Sequence, residues 1–216
     1  MGYGDEDAYG EHVHGPEPEL APKPRAWRFG DRGQVAVGVE RLFGWHFRST
    51  RNGGREATAT SFALLTSNTA TGQAFNPQSV PRVSLDGFIV DGFTLGGAVG
   101  FASTSIDNGG TGGDSSANTT LLLGRAGLVA ALGERTALWP RGSISVCWGN
   151  VEFISYSLTV LTLEAPLVLS PTPHLAVLIV PAYDVSVGGG TEDPSGVDSD
   201  LFLSDLSLTV GVLGAF

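Results

Sequence analysis

Residues 201–216 read LFLSDLSLTVGVLGAF, and their two-residue period decides the fold. Leu206, Leu208, Val210, Val212 and Phe216 fall on one face of an extended chain. Asp205, Ser207, Thr209, Gly211 and Ala215 fall on the other, with Leu213 the exception. Such alternation marks a β-strand with two unlike surroundings. The same pattern recurs upstream. In 174–187, Leu175, Val177, Ile179, Pro181, Tyr183, Val185 and Val187 oppose Ala176, Leu178, Val180, Ala182, Asp184 and Ser186. In 93–105, Phe93, Leu95, Val99 and Phe101 oppose Thr94, Gly96, Ala98, Gly100 and Ala102. In 33–46, Val35, Val37 and Val39 oppose Ala36, Gly38 and Glu40.

One face is thus large and apolar, the other small or polar. The small face also carries isolated charges: Glu40, Asp86, Arg125, Arg141, Glu164, Asp184 and Asp205. An unpaired charge in a dry core costs several kcal/mol, so these side chains require a polar lumen where they pair. The apolar face must then meet lipid. In lipid every backbone group must be satisfied internally, so the sheet must close. The expected fold is all-β: a closed antiparallel up-and-down transmembrane barrel of about eight strands, since a tilted span needs only about 9–11 residues.

The rest of the chain is organised around that expectation. Residues 1–32 are polar and hold Pro16, Pro18, Pro22 and Pro24; residues 1–19 hold six acids and no base. They read as a mostly disordered tail ahead of a barrel domain, 33–216. Strands are expected near 33–46, 81–90, 93–105, 118–132, 136–150, 153–170, 174–187 and 201–216. Segment 57–66 fits either the upper part of a long second strand or a hairpin inside a loop. Asp91-Gly92 is a strong two-residue hairpin signal. Links 133–135 and 170–173 are also short, whereas 47–80, 106–117 and 188–200 are long. Long and short links mostly alternate, the short link near 150–153 excepted. The long links therefore share one end of a meander.

Composition removes other classes. The 31 glycines lack a three-residue period, and only 16% of residues are charged. The pI near 4.7 argues against nucleic acid. Cys147 is alone, which excludes a disulfide scaffold. The apolar stretches 121–132 and 175–182 are too short for a membrane helix.

Residues 33–216 resemble the small eight-stranded outer-membrane barrels of Gram-negative bacteria, the OmpA/OmpX type. The alternating strands, the loop rhythm and the final strand carry the resemblance. FGDRGQVAVGVE, VDGFTLGGAVGF, ALWPRGSISV and SPTPHLAVLIVPAYDVSV also look like an uncharacterised group of barrel-domain proteins. The resemblance implies an outer-membrane address and a surround of lipid and lipopolysaccharide. It implies insertion by the barrel-assembly machinery, which reads Phe216 with Val212, Val210 and Leu208. No catalytic motif, cofactor or metal comes with it. The implied role is structural or interactive, through long outer loops, with the lumen filled by the seven charges. The chain departs from the class in its thin aromatic belt, for which Trp27, Trp45, Trp139, Trp148, Tyr156 and Tyr183 are the candidates.

Other readings are weighed against this one. A soluble lipocalin-like barrel requires Val35, Val37, Val210 and Val212 to point inward. A pore requires a lumen wider than the side chains of eight strands leave. An outer-membrane enzyme would need His46 as base, with Ser49, Ser103 or Ser105 approaching it. His12 and His14 suit a transition metal, and 109–114 resembles one copy of a Gly-rich calcium repeat; neither motif brings a full ligand set. Arg28, Arg32, Arg41, Arg48, Arg51 and Arg55 cluster early, and those on the first long link are candidates for contact with lipid phosphates. His174 reads as a turn or interface residue. Oligomeric state is left open.

Overall fold

The computed structural model describes residues 28–52, 54–64, 77–106 and 115–216. His12, His14, Trp27 and 109–114 lie outside them. The strands are β1 (Val35–Asn52), β2 (Arg55–Leu64), β3 (Arg82–Val90), β4 (Phe93–Ile106), β5 (Ser115–Leu128), β6 (Ala130–Ala131), β7 (Thr136–Leu138), β8 (Arg141–Val151), β9 (Ile154–Glu164), β10 (Leu167–Thr172), β11 (Leu175–Glu192) and β12 (Asp198–Ala215). A short 3-10 turn, Pro77–Ser79, precedes β3.

Eight of these strands form the wall. β12, β1, β3, β4, β5, β8, β9 and β11 pair in that order, and β11 pairs back with β12. Every step is antiparallel, so the sheet closes as an up-and-down barrel. The short strands continue their neighbours. β2 pairs with the upper half of β1 while β3 pairs with the lower half, so residues 57–64, the described part of segment 57–66, form the upper part of the second wall strand. β7 and β10 continue β8 and β9 toward the other end, beyond breaks at Pro140 and Pro166. Proline interrupts a ladder because it has no N–H to donate.

The turns at 91–92, 133–135 and 173–174 and both ends of the wall, Val35 and Ala215, share one end, here called the lower end, whereas the tight β8–β9 turn at 152–153 lies at the other. The upper end differs from the long loops expected of it. β1 and β2 pair up to Asn52 and Arg55, and β11 and β12 pair up to Glu192 and Asp198. Much of the two links 47–80 and 188–200 is therefore paired hairpin.

Sidedness follows the alternation. Val35, Val37, Leu85, Leu95, Val99, Leu122, Ile144, Leu163, Leu206 and Val212 are exposed on the outside. Val210 shares that outer face, half-buried. A soluble barrel would place Val35, Val37, Val210 and Val212 inside, so the lipocalin-like reading falls. Trp45, Phe47, Trp148 and Tyr183 also face outward. Trp139 and Tyr156, expected at the interface, are buried in the lumen instead. The parity of Tyr156 puts it in line with Leu158 and Val160. Trp139 likewise shares the parity of the buried Ala137 and Arg141 on either side of it.

One irregularity aims two charges inward. Between the pairs Val39↔Val212 and Phe43↔Val210, three residues of β1 face Gly211 alone. Arg41 adopts φ 54° in this bulge, so the consecutive Glu40 and Arg41 are both buried. The two extra residues keep the parity above and below. Gly211 is required here because a Cβ would lie 2.8 Å from the Val39 carbonyl oxygen and 3.1 Å from the Glu40 Cα. We expect Gly211→Val to lower unfolding stability by ~2 kcal/mol or more through overpacking. The loss of the fast-migrating folded band in a urea titration measures it.

Candidate functional site

The lumen is filled in layers. At the lower end Phe29 meets Phe88 edge-on with 5.2 Å between ring centroids, and Trp139 at 5.3 Å. Val168, Leu178, Val180 and Leu213 complete this plug. Phe29 and the buried Gly30 come from the segment before the first strand, so this segment contributes to the barrel floor. Trp139 Nε1 donates to Thr94 Oγ1 at 3.1 Å. Its ring lies under the Arg141 guanidinium at 4.4 Å and near Arg125 at 5.8 Å. These contacts join the apolar floor to a charged layer above it.

Glu40 is the hub of that layer. It accepts two bonds from Arg125, both 2.8 Å, one from Arg141 at 2.9 Å and one from Ser84 Oγ at 3.2 Å. Arg125 also forks onto both oxygens of Asp86, through Nε at 2.8 Å and through Nη2. Arg141 Nε lies 2.8 Å from Glu164. Arg82 lies 3.4 Å from Glu164 and 3.6 Å from Glu40. Arg41 grips Asp184 with two bonds of 2.9 and 3.0 Å, and Thr162 Oγ1 donates to the same carboxylate at 2.6 Å. His46 Nδ1 meets Asp205 Oδ2 at 2.7 Å. All these side chains are buried.

The seven charges proposed from sequence, Glu40, Asp86, Arg125, Arg141, Glu164, Asp184 and Asp205, therefore sit in one lumen. Glu40, Asp86, Arg125, Arg141 and Glu164 form a single connected cluster. Asp184 and Asp205 stand apart from it, held by Arg41 and His46. Sequence reading missed Arg41, Arg48 and Arg82 as lumen residues. Arg82 shares the parity of Asp86, and Arg48 that of His46, so alternation was enough to find both. Arg41 is out of phase, and only the bulge turns it inward. Arg41 and Arg48 are thus unavailable to lipid phosphates, while Arg51 and Arg55 remain exposed on the upper hairpin.

Above the charges lies a second apolar layer of Leu121, Leu123, Cys147, Leu158 and Val160. The 3-10 turn enters it from above. Gln78, Ser79 and Val80 are buried, Gln78 Nε2 donates to Cys147 Sγ at 3.1 Å, and Arg41 donates to the Gln78 carbonyl.

The enzyme reading needs His46 beside a serine, and neither Ser49 nor Ser103 stands beside it. His46 faces the lumen, while Ser49 and Ser103 lie on the outward face of their strands. The side chain of Ser105 is outside the described residues. His174 stacks on Phe216 at 6.2 Å between centroids, and its Nδ1 lies 3.0 Å from the Ala215 carbonyl. Phe216 itself exchanges two 2.9 Å backbone bonds with Val35 and points its ring outward. Among the described residues no group of three or more His, Cys, Asp or Glu is arranged to hold a metal.

Closure, eight antiparallel strands, an apolar exterior and a charged interior define a small outer-membrane-type β-barrel. Neither a protein-family model nor a curated protein sequence matches the chain. Solved structures of similar fold include the attachment invasion locus protein Ail of Yersinia pestis. It is 13% identical, with 86% of this chain and 99% of that chain covered and a TM-score of 0.42. Neisserial surface protein A is 10% identical, with coverage of 86% and 100% and a TM-score of 0.49. The outer membrane protease OmpT of Escherichia coli is 9% identical, with coverage of 85% and 97% and a TM-score of 0.41. At these identities the likeness concerns fold alone.

Two outcomes follow. Glu40→Gln and Arg125→Met each leave buried charges without their partner, which we expect to lower stability by ~3–5 kcal/mol. The double variant should fall well short of the sum, because both changes break one network. Urea titration of the folded band reads the cycle. At the upper end, Asp193 caps its turn by accepting from the Ser195 hydroxyl at 2.6 Å and from the Val197 N–H at 3.0 Å. These bonds hold its carboxyl below the usual range. A depressed carboxylate stabilises above its unfolded pKa, about 3.9, and the effect is lost as pH falls through the folded value. Amide exchange at Val197 should stay slow at pH 4 and quicken below it, and Asp193→Asn should abolish that dependence.

Proposed function

We propose that this chain is a Gram-negative outer-membrane protein that neither catalyses nor conducts. It acts as a rigid membrane pedestal whose upper hairpins meet partners outside the cell. The filled lumen carries this reading: an aromatic floor, a layer of paired charges and an upper apolar layer stand one above another. Eight strands leave an interior just wide enough for side chains, and here the side chains occupy it. The His46–Asp205 pair is itself buried and closed to solvent.

The outer wall supports the membrane assignment. From Val35 to Phe47, opposite Phe216 to Leu206, the outward residues of β1 span about 25 Å when tilted, the height of the apolar band of such barrels. Lipid and lipopolysaccharide are the surroundings this wall suits. The exposed ring of Phe216, in line with Val212, Val210 and Leu208, is the signal we assign to recognition by the barrel-assembly machinery.

In planar bilayers the purified protein should give no discrete current steps; stable steps at low voltage would overturn the non-conducting reading. The membrane assignment predicts heat-modifiable gel migration, and a protein that stays soluble and monodisperse without detergent contradicts it. Deleting Phe216 should reduce the folded fraction recovered from cells several-fold while leaving refolding into detergent intact.

A further inference from the structure

The upper hairpins carry a surface that the barrel itself does not use. β9, β11 and β12 run on together toward the upper end, with Ser155 opposite Glu192 and Glu192 opposite Asp198. One row lower, Ser157 lies opposite Gly190 and Gly190 opposite Asp200. All these positions share the outward face, because Tyr156, Leu158, Leu203 and Asp205 take the inward one. Glu192, Asp198 and Asp200 are exposed. Gly190 has no side chain and leaves a dip among them.

Two features of this face are unfavourable in the free protein. Glu192 and Asp198 are like charges directly opposite each other across a sheet, a destabilising pairing. Among the described residues no arginine forms an ion pair with Glu192, Asp198 or Asp200. The second feature is apolar. Phe153, at the tip of the adjoining β8–β9 hairpin, is 81% exposed, and Phe202 and Val187 are exposed on the membrane side of the acids. The face therefore alternates apolar, acidic and apolar surface.

We propose that this face docks a cationic amphipathic polypeptide segment. Its Arg or Lys side chains bridge Glu192, Asp198 and Asp200, and its apolar side chains cover Phe153 and Phe202. Charge complementarity selects this occupant: a bridging cation removes the Glu192–Asp198 repulsion, whereas anionic lipid headgroups would add to it. The proposal deepens the reading of the hairpins as partner-facing surfaces and rests on it.

The test uses the full chain folded in non-ionic detergent micelles. The probe is a labelled peptide of alternating Arg and Leu, compared with its Glu and Leu counterpart and with empty micelles, by fluorescence anisotropy. The chain should bind the cationic peptide in preference to the acidic one. The triple variant Glu192→Gln, Asp198→Asn, Asp200→Asn should weaken binding about tenfold, equivalent to ~1.4 kcal/mol. Phe153→Ser should weaken it several-fold, and salt near 1 M, where the screening length is about 3 Å, should abolish it. Binding that survives the triple variant, or that shows no preference for the cationic peptide, overturns the proposal. So does a Phe153→Ser effect with none from the acids, which would mark Phe153 as a lipid contact. Heat-modifiable migration is read on every variant. A folded chain without the preference sinks the docking surface alone, whereas a chain soluble without detergent sinks the pedestal reading as well.

Discussion

The lumen of this barrel depends on the neutralisation of Glu40. Its carboxylate receives Arg125, Arg141 and the hydroxyl of Ser84 directly, with Arg82 alongside. Each of these arginines reaches a second carboxylate on another strand: Asp86 on β3 or Glu164 on β9. One side chain on the first strand is thus tied to four others around the wall. Buried ion pairs are weak sources of net stability but costly to break. Their contribution here is to specify the arrangement: a wall in another register would leave several charges unpaired at once.

The remaining layers follow from that constraint. The guanidinium faces of Arg125 and Arg141 need an apolar, polarisable floor, and Trp139 supplies it with Phe29 and Phe88 beneath. Five arginines, Arg41, Arg48, Arg82, Arg125 and Arg141, are buried with five carboxylates, Glu40, Asp86, Glu164, Asp184 and Asp205. The formal charge of −10 therefore lies outside the lumen. With five arginines drawn inside, the acids Glu192, Asp198 and Asp200 share the upper end with the exposed Arg51 and Arg55. Interior pairing and exterior charge are two consequences of one distribution.

Alternation made most of the wall legible. β3, β4, β8, β11 and β12 fall close to where a two-residue period places them, because lipid on one side and a narrow lumen on the other impose opposite preferences on successive residues. Segment 57–66 is ambiguous in sequence, since its Ala and Thr suit either face; pairing with β1 places residues 57–64 in the wall. Trp139 and Tyr156 were misplaced because an aromatic ring on a barrel strand suits an interface and a lumen equally well. The lengths of the upper links overstated the loops, since Gly-rich residues such as Gly188 to Gly190 still pair within β11.

By itself the sequence determined the strand period, the sidedness and seven of the charges that face inward, because these depend only on the alternation of neighbours along the chain. The tertiary structure decided which charges meet. Arg41 enters the lumen only through a bulge opposite Gly211, Gln78 only because its turn folds back inside the wall, and Asp184 finds Arg41 from far away in the chain. Parity can say that a side chain points inward. Its partner is set by barrel closure and register, which bring distant strands to the same height in a space too narrow for an unpaired charge.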